Sequence, residues 1–279
     1  MRSSAASDVY KRQPVHNDGV CVPRIRKLMD WSEYLQTLGV DSILLNPIFE
    51  SDNHGYDTRD FKKIDCRLGT NEDFKEVCED LHKHNVKIVL DGVFNHCGSF
   101  NKWLDRERIY ENKPGYEKGA YISEDSPYHD YFSFHDNNRF PYNPTYDGWW
   151  GHDTLPKLNY EGSRQLEDYI LQVARKWVSA PFHADGGRLD VAADLGHSPE
   201  YNHRFWTKFR DTVKEANPHA LIVAEHYGDP SSWLQGDQWD TVMNYDAFME
   251  PISWFLTGLE KHSDQYRQDL KGNAECFRD

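Results

Sequence analysis

Hydrophobic residues along the chain recur alternately at helical spacing and in short apolar runs. The first helical stretch precedes Gly39, a residue type that favours a helix end, and its apolar positions are Ile25, Leu28, Trp31, Leu35 and Leu38. Later helices are predicted after Thr70, after Ser163, and at Ser198 with Pro199, because these residues cap or open helices. The predicted buried positions of the helices after Thr70 and Ser163 are Phe74, Val77, Cys78 and Leu81, and Leu166, Tyr169, Ile170, Val173 and Trp177.

Short apolar runs separate these helices, at residues 42–48, 87–94, 183–191, 221–224 and 241–244. The runs lack a clean alternation of apolar and polar residues, which is typical of strands that are buried on both faces. Repeated strand–helix units of this kind predict an α/β fold with a parallel sheet, either open or closed into a barrel.

One interval departs from this rhythm. Residues 97–160 show no regular pattern and are rich in Tyr, Trp, Pro, Asn and Asp. A connection of that length is usually functional, so we interpret it as a small inserted domain between a first barrel part, 14–96, and a second, 161–279. Residues 1–13 (MRSSAASDVYKRQ) are small, polar and aperiodic, resemble translated adapter sequence, and are excluded from the fold prediction.

Composition narrows the class of protein. The net charge is −14, which argues against a nucleic-acid partner because phosphate backbones bind basic surfaces. No run approaches the roughly 18 apolar residues of a membrane helix, and the N-terminus lacks the apolar core of a signal peptide. The sequence therefore predicts no membrane partner and a cytoplasmic location, although we also expect the natural N-terminus to be missing.

The cysteines carry a further prediction about the compartment. Their number is odd and no two of them form a C-x-x-C pair; they are Cys21, Cys66, Cys78, Cys97 and Cys276. Neither a disulfide framework nor a zinc knuckle is expected from this spacing, and reduced thiols are predicted.

Polar residues cluster where three of the predicted strands end, the position of the active site in parallel α/β barrels. They are Asp91, Asn95 and His96, then Arg188 and Asp190, then Glu225 and His226. Residues two apart on a strand face the same side, so Arg188 should favour the ionised form of Asp190, as a nucleophile requires. Glu225 follows an apolar run, a setting that suits a general acid.

Each of these features also has a simpler explanation when taken alone. Arg188 and Asp190 fit an ordinary structural ion pair, and Glu225 fits a solvated strand end. The combination is more informative, because retaining glycosidases hold two carboxylates about 5–5.5 Å apart and neighbouring strands lie about 4.8 Å apart. Two carboxylates at adjacent strand ends can therefore act on one bond.

These segments resemble the α-amylase superfamily, glycoside hydrolase family thirteen, and are similar to its neopullulanase and cyclomaltodextrinase branch. In chain order they are 46–50 (NPIFE), 54–57 (HGYD), 91–96 (DGVFNH), 149–159 (WWGHDTLPKLN), 185–190 (DGGRLD), 224–226 (AEH) and 242–245 (VMNY). The match covers roughly residues 24–262, and several motifs in order are far more specific than one. The resemblance implies a (β/α)8 TIM barrel, represented here by about strands two to six, with the inserted domain after strand three.

The resemblance also implies a reaction and its catalytic residues. The function would be retaining hydrolysis of α-1,4 or α-1,6 glucosidic bonds in maltodextrins, cyclodextrins, pullulan or starch. Asp190 would be the nucleophile, Glu225 the general acid/base, and Arg188 the residue that positions the nucleophile.

Further residues follow from the same resemblance. His96 would bind the sugar on the cleaved side, Tyr56 would stack on it, Asp91 would brace the site, and His226 would contact substrate. No cofactor is required, but relatives often hold a calcium ion near the position of Asn95, so a calcium site there is left open. Gly187 departs from the family, which usually has Trp or Phe before the arginine, and this implies looser packing under Asp190.

A third family carboxylate, an Asp directly after a His beyond the seventh strand, has no counterpart here. The His-Asp pairs are His129-Asp130, His135-Asp136 and His152-Asp153, and all precede Asp190. Of 279 residues, only about 202 remain without the insertion and the leader, against about 250 in a typical barrel. We therefore expect a gene fragment that is inactive and aggregation-prone as an isolated polypeptide.

Two other classes of protein are weighed against this one. A catalytically inactive, amylase-like carbohydrate-binding protein would be recognised by the loss of Asp190 or Glu225, and both are present. A metal hydrolase using Asp91 and His96 is disfavoured, because no H-E-x-x-H pattern exists.

The preferred glucan and the oligomeric state are not specified by the sequence. A stacking platform for a pyranose ring is one interpretation of four aromatic residues in the insertion, and packing of the inserted domain is the other. These residues are Tyr142, Tyr146, Trp149 and Trp150.

Overall fold

The computed structural model describes residues 17–257. The strands are β1 Ser42–Leu45, β2 Phe49–Ser51, β3 Thr58–Ile64, β4 Lys87–Gly92, β5 Gly186–Leu189, β6 Leu221–Ala224 and β7 Thr241–Val242. The α-helices are α1 Ser32–Thr37, α2 Asn71–Lys83, α3 Arg164–Val178, α4 Pro199–Ala216 and α5 Glu250–Thr257. The predicted leader, 1–13, lies outside the described residues. Within 17–257 every helix is too short or too polar to span a bilayer.

Five of the strands form one parallel sheet in the order β1-β4-β5-β6-β7, and β2 pairs with β3 in a separate antiparallel ribbon. The register places Asp91 of β4 beside Arg188 of β5, and Leu189 of β5 beside Ala224 of β6. Since the carboxyl ends of parallel strands share one edge, the residues that follow β4, β5 and β6 meet there. The predicted α/β fold with a parallel sheet is confirmed.

The main helices begin where their capping residues predict. The Thr70 side chain accepts from the backbone N–H of Asp73, and Asp73 accepts from Thr70 in return, which forms a capping box at α2. Ser163 caps α3, and Ser198 caps α4 with Pro199 in its first turn. Most of the predicted stripes are buried against the sheet; Tyr169 is the half-buried exception.

The first predicted helix differs from the structure. Residues Arg24–Trp31 form a 3₁₀ helix, and α1 follows. A 3₁₀ turn holds three residues rather than 3.6, so the helical stripe is not maintained, and Trp31 and Leu38 are exposed. The strand predicted at 42–48 ends at Leu45, before Pro47, which has no N–H to donate to a ladder.

Residues 97–160 consist mainly of turns, three short 3₁₀ helices and isolated bridges. Their own aromatic core includes Trp103, Tyr131 and Phe132. The segment returns to the sheet through a bridge between His96 and Lys157. These contacts place the end of the segment beside the carboxyl end of β4.

One cysteine pair differs from the prediction of reduced thiols. Cys21 and Cys66 are joined by a disulfide across a separation of 45 residues, next to a hydrogen bond from the Val22 N–H to the Cys66 carbonyl. Spacing along the chain did not indicate this pair, because tertiary structure brings the two segments together. Cys78 and Cys97 are free and buried, Cys276 lies outside the described residues, and the cytoplasmic location stays a prediction.

Candidate active site

The carboxyl ends of β4, β5 and β6 bring four charged side chains into contact. Asp91 and Arg188 lie side by side on β4 and β5. The backbone N–H groups of Asp190 and Glu225 donate to carbonyls of the neighbouring strands at 3.0 and 2.8 Å. The backbone hydrogen bonds of the sheet thus continue just past the strand ends, and they fix the backbone positions of Asp190 and Glu225.

Arg188 is the centre of this cluster, and its side chain is only 7% exposed. Its Nη1 donates to Asp91 Oδ1 at 2.9 Å and to Asp190 Oδ1 at 2.7 Å. Its Nη2 lies 3.0 Å from Glu225 Oε2. One guanidinium therefore holds three carboxyl groups from three strands, and the charge of the cluster is negative when all three are ionised.

The protonation of the two aspartates differs from the expectation that Arg188 keeps Asp190 ionised. Burial, together with repulsion from Asp91, raises the pKa of Asp190 to about 7, and Arg188 opposes this only in part. Burial raises the pKa of Asp91 to about 6, again against the pull of Arg188. A single cation in a desolvated site does not neutralise three acids, so the cluster retains protons near neutral pH.

Glu225 has a second partner in the turn that follows Asp190. Its Oε2 accepts from the backbone N–H of Val191 at 3.1 Å. Val191 has a φ of 48°, a left-handed conformation that is strained for a β-branched residue. The strained residue aims its N–H at Glu225, a contact that the sequence did not indicate. Glu225 is 21% exposed, more than Asp190 at 8%.

A cleft of about 700 Å³ opens above this cluster. It brings together most of the residues predicted from the sequence, and it adds several that were not. Its walls include His54, Tyr56, His96, Trp149, Trp150, Leu155, Arg188, Asp190, Val191, Ala193, Asp194, Glu225, His226 and Tyr227. Asp91 lies beneath the cleft and is 2% exposed.

Tyr56 and His96 form one side of the cleft. The Tyr56 hydroxyl donates to Asp91 Oδ2 at 3.4 Å, and His96 Nε2 lies 3.0 Å from the Tyr56 carbonyl oxygen. Burial lowers the pKa of His96 to about 4, so its ring is neutral at pH 7. Its Nδ1 faces Asn95 Nδ2 at 3.2 Å, which leaves Nε2 as the protonated nitrogen.

The two tryptophans of the insertion have different surroundings. Trp149 stacks on the His96 ring with centroids 5.4 Å apart. Trp150 is 84% exposed and has a φ of 50°. Trp149 is therefore packed into the cleft wall, whereas Trp150, whose ring centroid lies 5.7 Å from that of Trp149, leaves most of its indole exposed at the rim. Tyr142 and Tyr146 do not line the cleft; Tyr146 is buried and Tyr142 bonds Glu111.

The opposite wall follows β6. His226 lies near the rings of Trp233 and Trp239, with centroids 6.2 and 5.7 Å away. Tyr227 stacks on Tyr245, with centroids 4.4 Å apart and planes 7° from parallel. Tyr227 lines the cleft and was not predicted from the sequence, although it directly follows Glu225 and His226 at the end of a predicted strand.

A small apolar cavity of about 40 Å³ lies behind β5, between the sheet and the helices α3 and α4. A Cβ atom at Gly187 would meet only the Leu90 carbonyl oxygen, at 3.8 Å. The structure therefore has room for a side chain at Gly187, the position at which the sequence departs from the family that it resembles.

The surroundings of Asn95 do not fit a calcium ion. Its Oδ1, the oxygen that would bind the metal, accepts from Lys157 Nζ at 2.7 Å. Among residues 17–257 no cluster of three or more His, Cys, Asp or Glu side chains is arranged to hold a metal ion. Calcium takes six to eight oxygen ligands, whereas the Asn95 side-chain oxygen is already bonded to a lysine ammonium.

Comparisons with known proteins identify the family of the chain. Residues 25–270 match the family model of the alpha amylase catalytic domain. The amylopullulanase of Thermoanaerobacterium saccharolyticum is 36% identical over 84% of this chain and 18% of its own length, and neopullulanase 2 of Thermoactinomyces vulgaris is 36% identical over 88% and 39%. The debranching enzyme of Nostoc punctiforme superposes with a TM-score of 0.67 at 37% identity, over 82% of this chain and 44% of that one. The chain spans less than half the length of each.

Proposed function

Because the chain belongs to the α-amylase family of glycoside hydrolases, we propose that it carries the active site of a retaining α-glucan hydrolase. The observation that supports this most directly is the pairing of Asp190 and Glu225 on the two terminal nitrogens of Arg188. A shared guanidinium keeps two carboxyl groups from adjacent strands at the floor of one cleft. Double displacement at a sugar carbon needs two carboxyl groups close together at one site.

In this mechanism Glu225 donates a proton to the glycosidic oxygen while Asp190 attacks the anomeric carbon. The bond from that carbon to the leaving oxygen breaks as the bond to the Asp190 carboxylate forms. A water molecule then attacks the same carbon, Glu225 takes the proton of the water, and Asp190 leaves. Two inversions give net retention of the anomeric configuration.

Arg188 and Asp91 influence whether the Asp190 carboxyl group is ionised. Asp190 must be ionised to attack, and its carboxylate is stabilised by the 2.7 Å contact with Arg188. Asp91 occupies the same nitrogen and anchors the guanidinium from below. We assign Asp91 and Arg188 as positioning residues for that reason.

Tyr56, His96, Trp149, Trp150 and His226 are assigned to sugar binding. Aromatic rings cover the apolar face of a pyranose, and the neutral His96 ring, whose two nitrogens contact Asn95 and the Tyr56 carbonyl oxygen, lines the cleft beside Trp149. Trp150 is the ring with most free surface. It is therefore the one we assign to a glucose unit away from the cleavage point.

We assign the five parallel strands to strands two to six of a (β/α)8 barrel, and 97–160 to a domain inserted after strand three. The support is the strand order and the position of the long segment directly after β4. The names of the relatives include pullulanases and a debranching enzyme. We therefore propose linear maltodextrin and pullulan as the first substrates to compare.

The test uses the longest reading frame that contains this chain. Reducing ends released from maltodextrin and pullulan would be measured for the unaltered protein, for Asp190→Asn, and for Asp168→Asn as a control. Asp168 is an exposed residue on α3, 55% accessible and away from the cleft. Activity that is lost only in Asp190→Asn supports the proposal.

The stereochemistry provides a second test. Proton NMR of the first product would show the α-anomer if hydrolysis retains configuration, and the β-anomer would refute the double displacement. A folded protein that binds maltodextrin in calorimetry without cleaving it would instead favour the carbohydrate-binding alternative.

A further inference from the structure

Lys157 places a positive charge between two parts of the chain that are remote in sequence. Its Nζ donates to Asn95 Oδ1 at 2.7 Å, to the Asp194 carbonyl oxygen, and lies 3.4 Å from the Leu195 carbonyl oxygen. Asn95 follows β4, and the other two residues belong to the turn after β5. We call these three oxygens, with the ammonium among them, the oxygen cage.

The backbone on each side of the cage is fixed independently. The Lys157 N–H donates to the Asp147 carbonyl at 2.8 Å, and the Leu158 N–H donates to the Asn95 carbonyl at 3.1 Å. Lys157 also bridges His96 in the backbone. The lysine stem is therefore anchored before its charge is considered, and the ammonium is directed inward rather than to solvent.

The oxygens suit an ammonium better than a metal ion. An ammonium has three N–H donors and no acceptor, and the cage presents three acceptors. One is a neutral amide oxygen and two are backbone carbonyls, and the nearby carboxylates of Asp194 and Asp147 favour the charged form of the lysine through space. A hard divalent cation would need several more oxygens at 2.3–2.6 Å, and the lysine stem fills the approach.

We propose that Lys157 serves as a built-in cation, which ties the 97–160 segment to the ends of β4 and β5 and makes a bound calcium ion unnecessary there. The turn that it holds begins at Val191, whose N–H contacts Glu225, and runs through Asp194 at the cleft wall. The ammonium is thus a positioning group for that wall. This inference does not depend on the proposed hydrolase activity.

The first measurement is thermal unfolding of the unaltered protein with EDTA and with added CaCl2. Neither should shift Tm, because the cage already holds its cation. A fall in Tm with EDTA that added CaCl2 reverses would overturn the proposal, since it would show a metal ion that stabilises the fold. This measurement needs no variant and so does not depend on whether one folds.

The second measurement compares Lys157→Met with Lys102→Met, an exposed lysine of the same segment. Lys157→Met should lower Tm by roughly 5 °C or more, while Lys102→Met should leave it within about 1 °C. Limited proteolysis should cut the Lys157→Met variant sooner within 97–160. Equal Tm values and equal rates of proteolysis in the two variants would overturn the proposal that Lys157 holds the 97–160 segment in place.

The third measurement separates charge from bulk. Lys157→Ala empties the cage, whereas Lys157→Met leaves it filled by an uncharged side chain. Methylammonium chloride should therefore raise Tm of Lys157→Ala by a few degrees above the effect of equal NaCl, and should not do so for Lys157→Met. No difference between the two salts with Lys157→Ala would contradict a cation-specific cage.

Discussion

Asp190 Oδ1 accepts a 2.7 Å hydrogen bond from Arg188 Nη1, two residues earlier along the same backbone. The pair is almost completely buried, with side chains 8% and 7% exposed. Because the same guanidinium also serves Asp91 and Glu225, it offsets only part of the charge around Asp190. The residue proposed as the nucleophile is therefore held in place at a cost in stability.

Asp190→Asn tests that cost. Burial and the Asp91 carboxylate raise the pKa of Asp190 from 3.8 to about 7, so between these values the native state binds a proton that the unfolded state has released. The free energy of unfolding should fall as pH rises through this window. The variant should lack this component and gain on the order of 2 kcal/mol at pH 8 over the unaltered protein.

Urea denaturation at several pH values would measure this effect. The variant should also lose at least roughly a thousandfold in kcat, so stability and activity should move in opposite directions. A variant that is less stable than the unaltered protein at pH 8 would show that Arg188 outweighs burial.

The pH dependence of activity should reflect the same cluster. The proposed attack requires Asp190 to be ionised, and burial raises the pKa values of Asp91 and Asp190 to about 6 and about 7. The acid limb of kcat/KM should therefore have its midpoint between about pH 6 and 7, well above the usual range of an aspartate. A midpoint below about pH 5 would contradict the assignment of Asp190 as a buried, proton-retaining nucleophile.

Neighbouring glycines in β5 should respond oppositely to a methyl group. Gly187→Ala points into open space, since its Cβ would meet only an oxygen at 3.8 Å, and should stabilise the protein by about 0.5–1 kcal/mol. Gly186→Ala would place Cβ 2.4 Å from the Leu221 carbonyl oxygen and should cost about 1–3 kcal/mol. Chemical denaturation of the two variants side by side measures the difference, and equal effects would contradict the cavity behind β5.

Trp150→Ala should separate binding from folding. The indole is 84% exposed, so its removal should change the free energy of unfolding by no more than about 0.5 kcal/mol. If the ring covers a glucose unit, KM for long maltodextrins should rise roughly two- to tenfold, since an aromatic stacking contact contributes about 0.5–1.5 kcal/mol. Trp149→Ala is the comparison, because Trp149 packs on His96 and its loss should also lower stability. An unchanged KM in Trp150→Ala would remove this residue from the binding surface.

Much of the charge cluster was predictable because it depends on a simple rule. Parallel strands end at one edge, so Asp91, Arg188, Asp190 and Glu225 could be placed together from their positions after apolar runs. The family resemblance is confirmed by the match over residues 25–270. The catalytic roles remain proposals.

The features that could not be predicted from the sequence depend mostly on contacts between distant parts of the chain. Lys157 meets Asn95 across 62 residues, and Cys21 meets Cys66 across 45; neither separation has a local pattern. The raised pKa of Asp190 follows from burial, which a strand's sequence does not specify. The left-handed conformation of Val191 could not be predicted from the sequence either, because valine ordinarily avoids that conformation.

The charged residues of the cleft lie at strand ends, whereas most of its aromatic residues lie in connecting segments. This arrangement has a consequence for how such a protein can diversify. Its charges belong to strands of four to six residues in a common register, where a one-residue deletion would turn the side chains to the opposite face. Its exposed rings belong mostly to connecting segments, which tolerate insertions. Under the proposed function, a lineage can therefore exchange one glucan for another by altering connections while it inherits the charged residues at the strand ends unchanged.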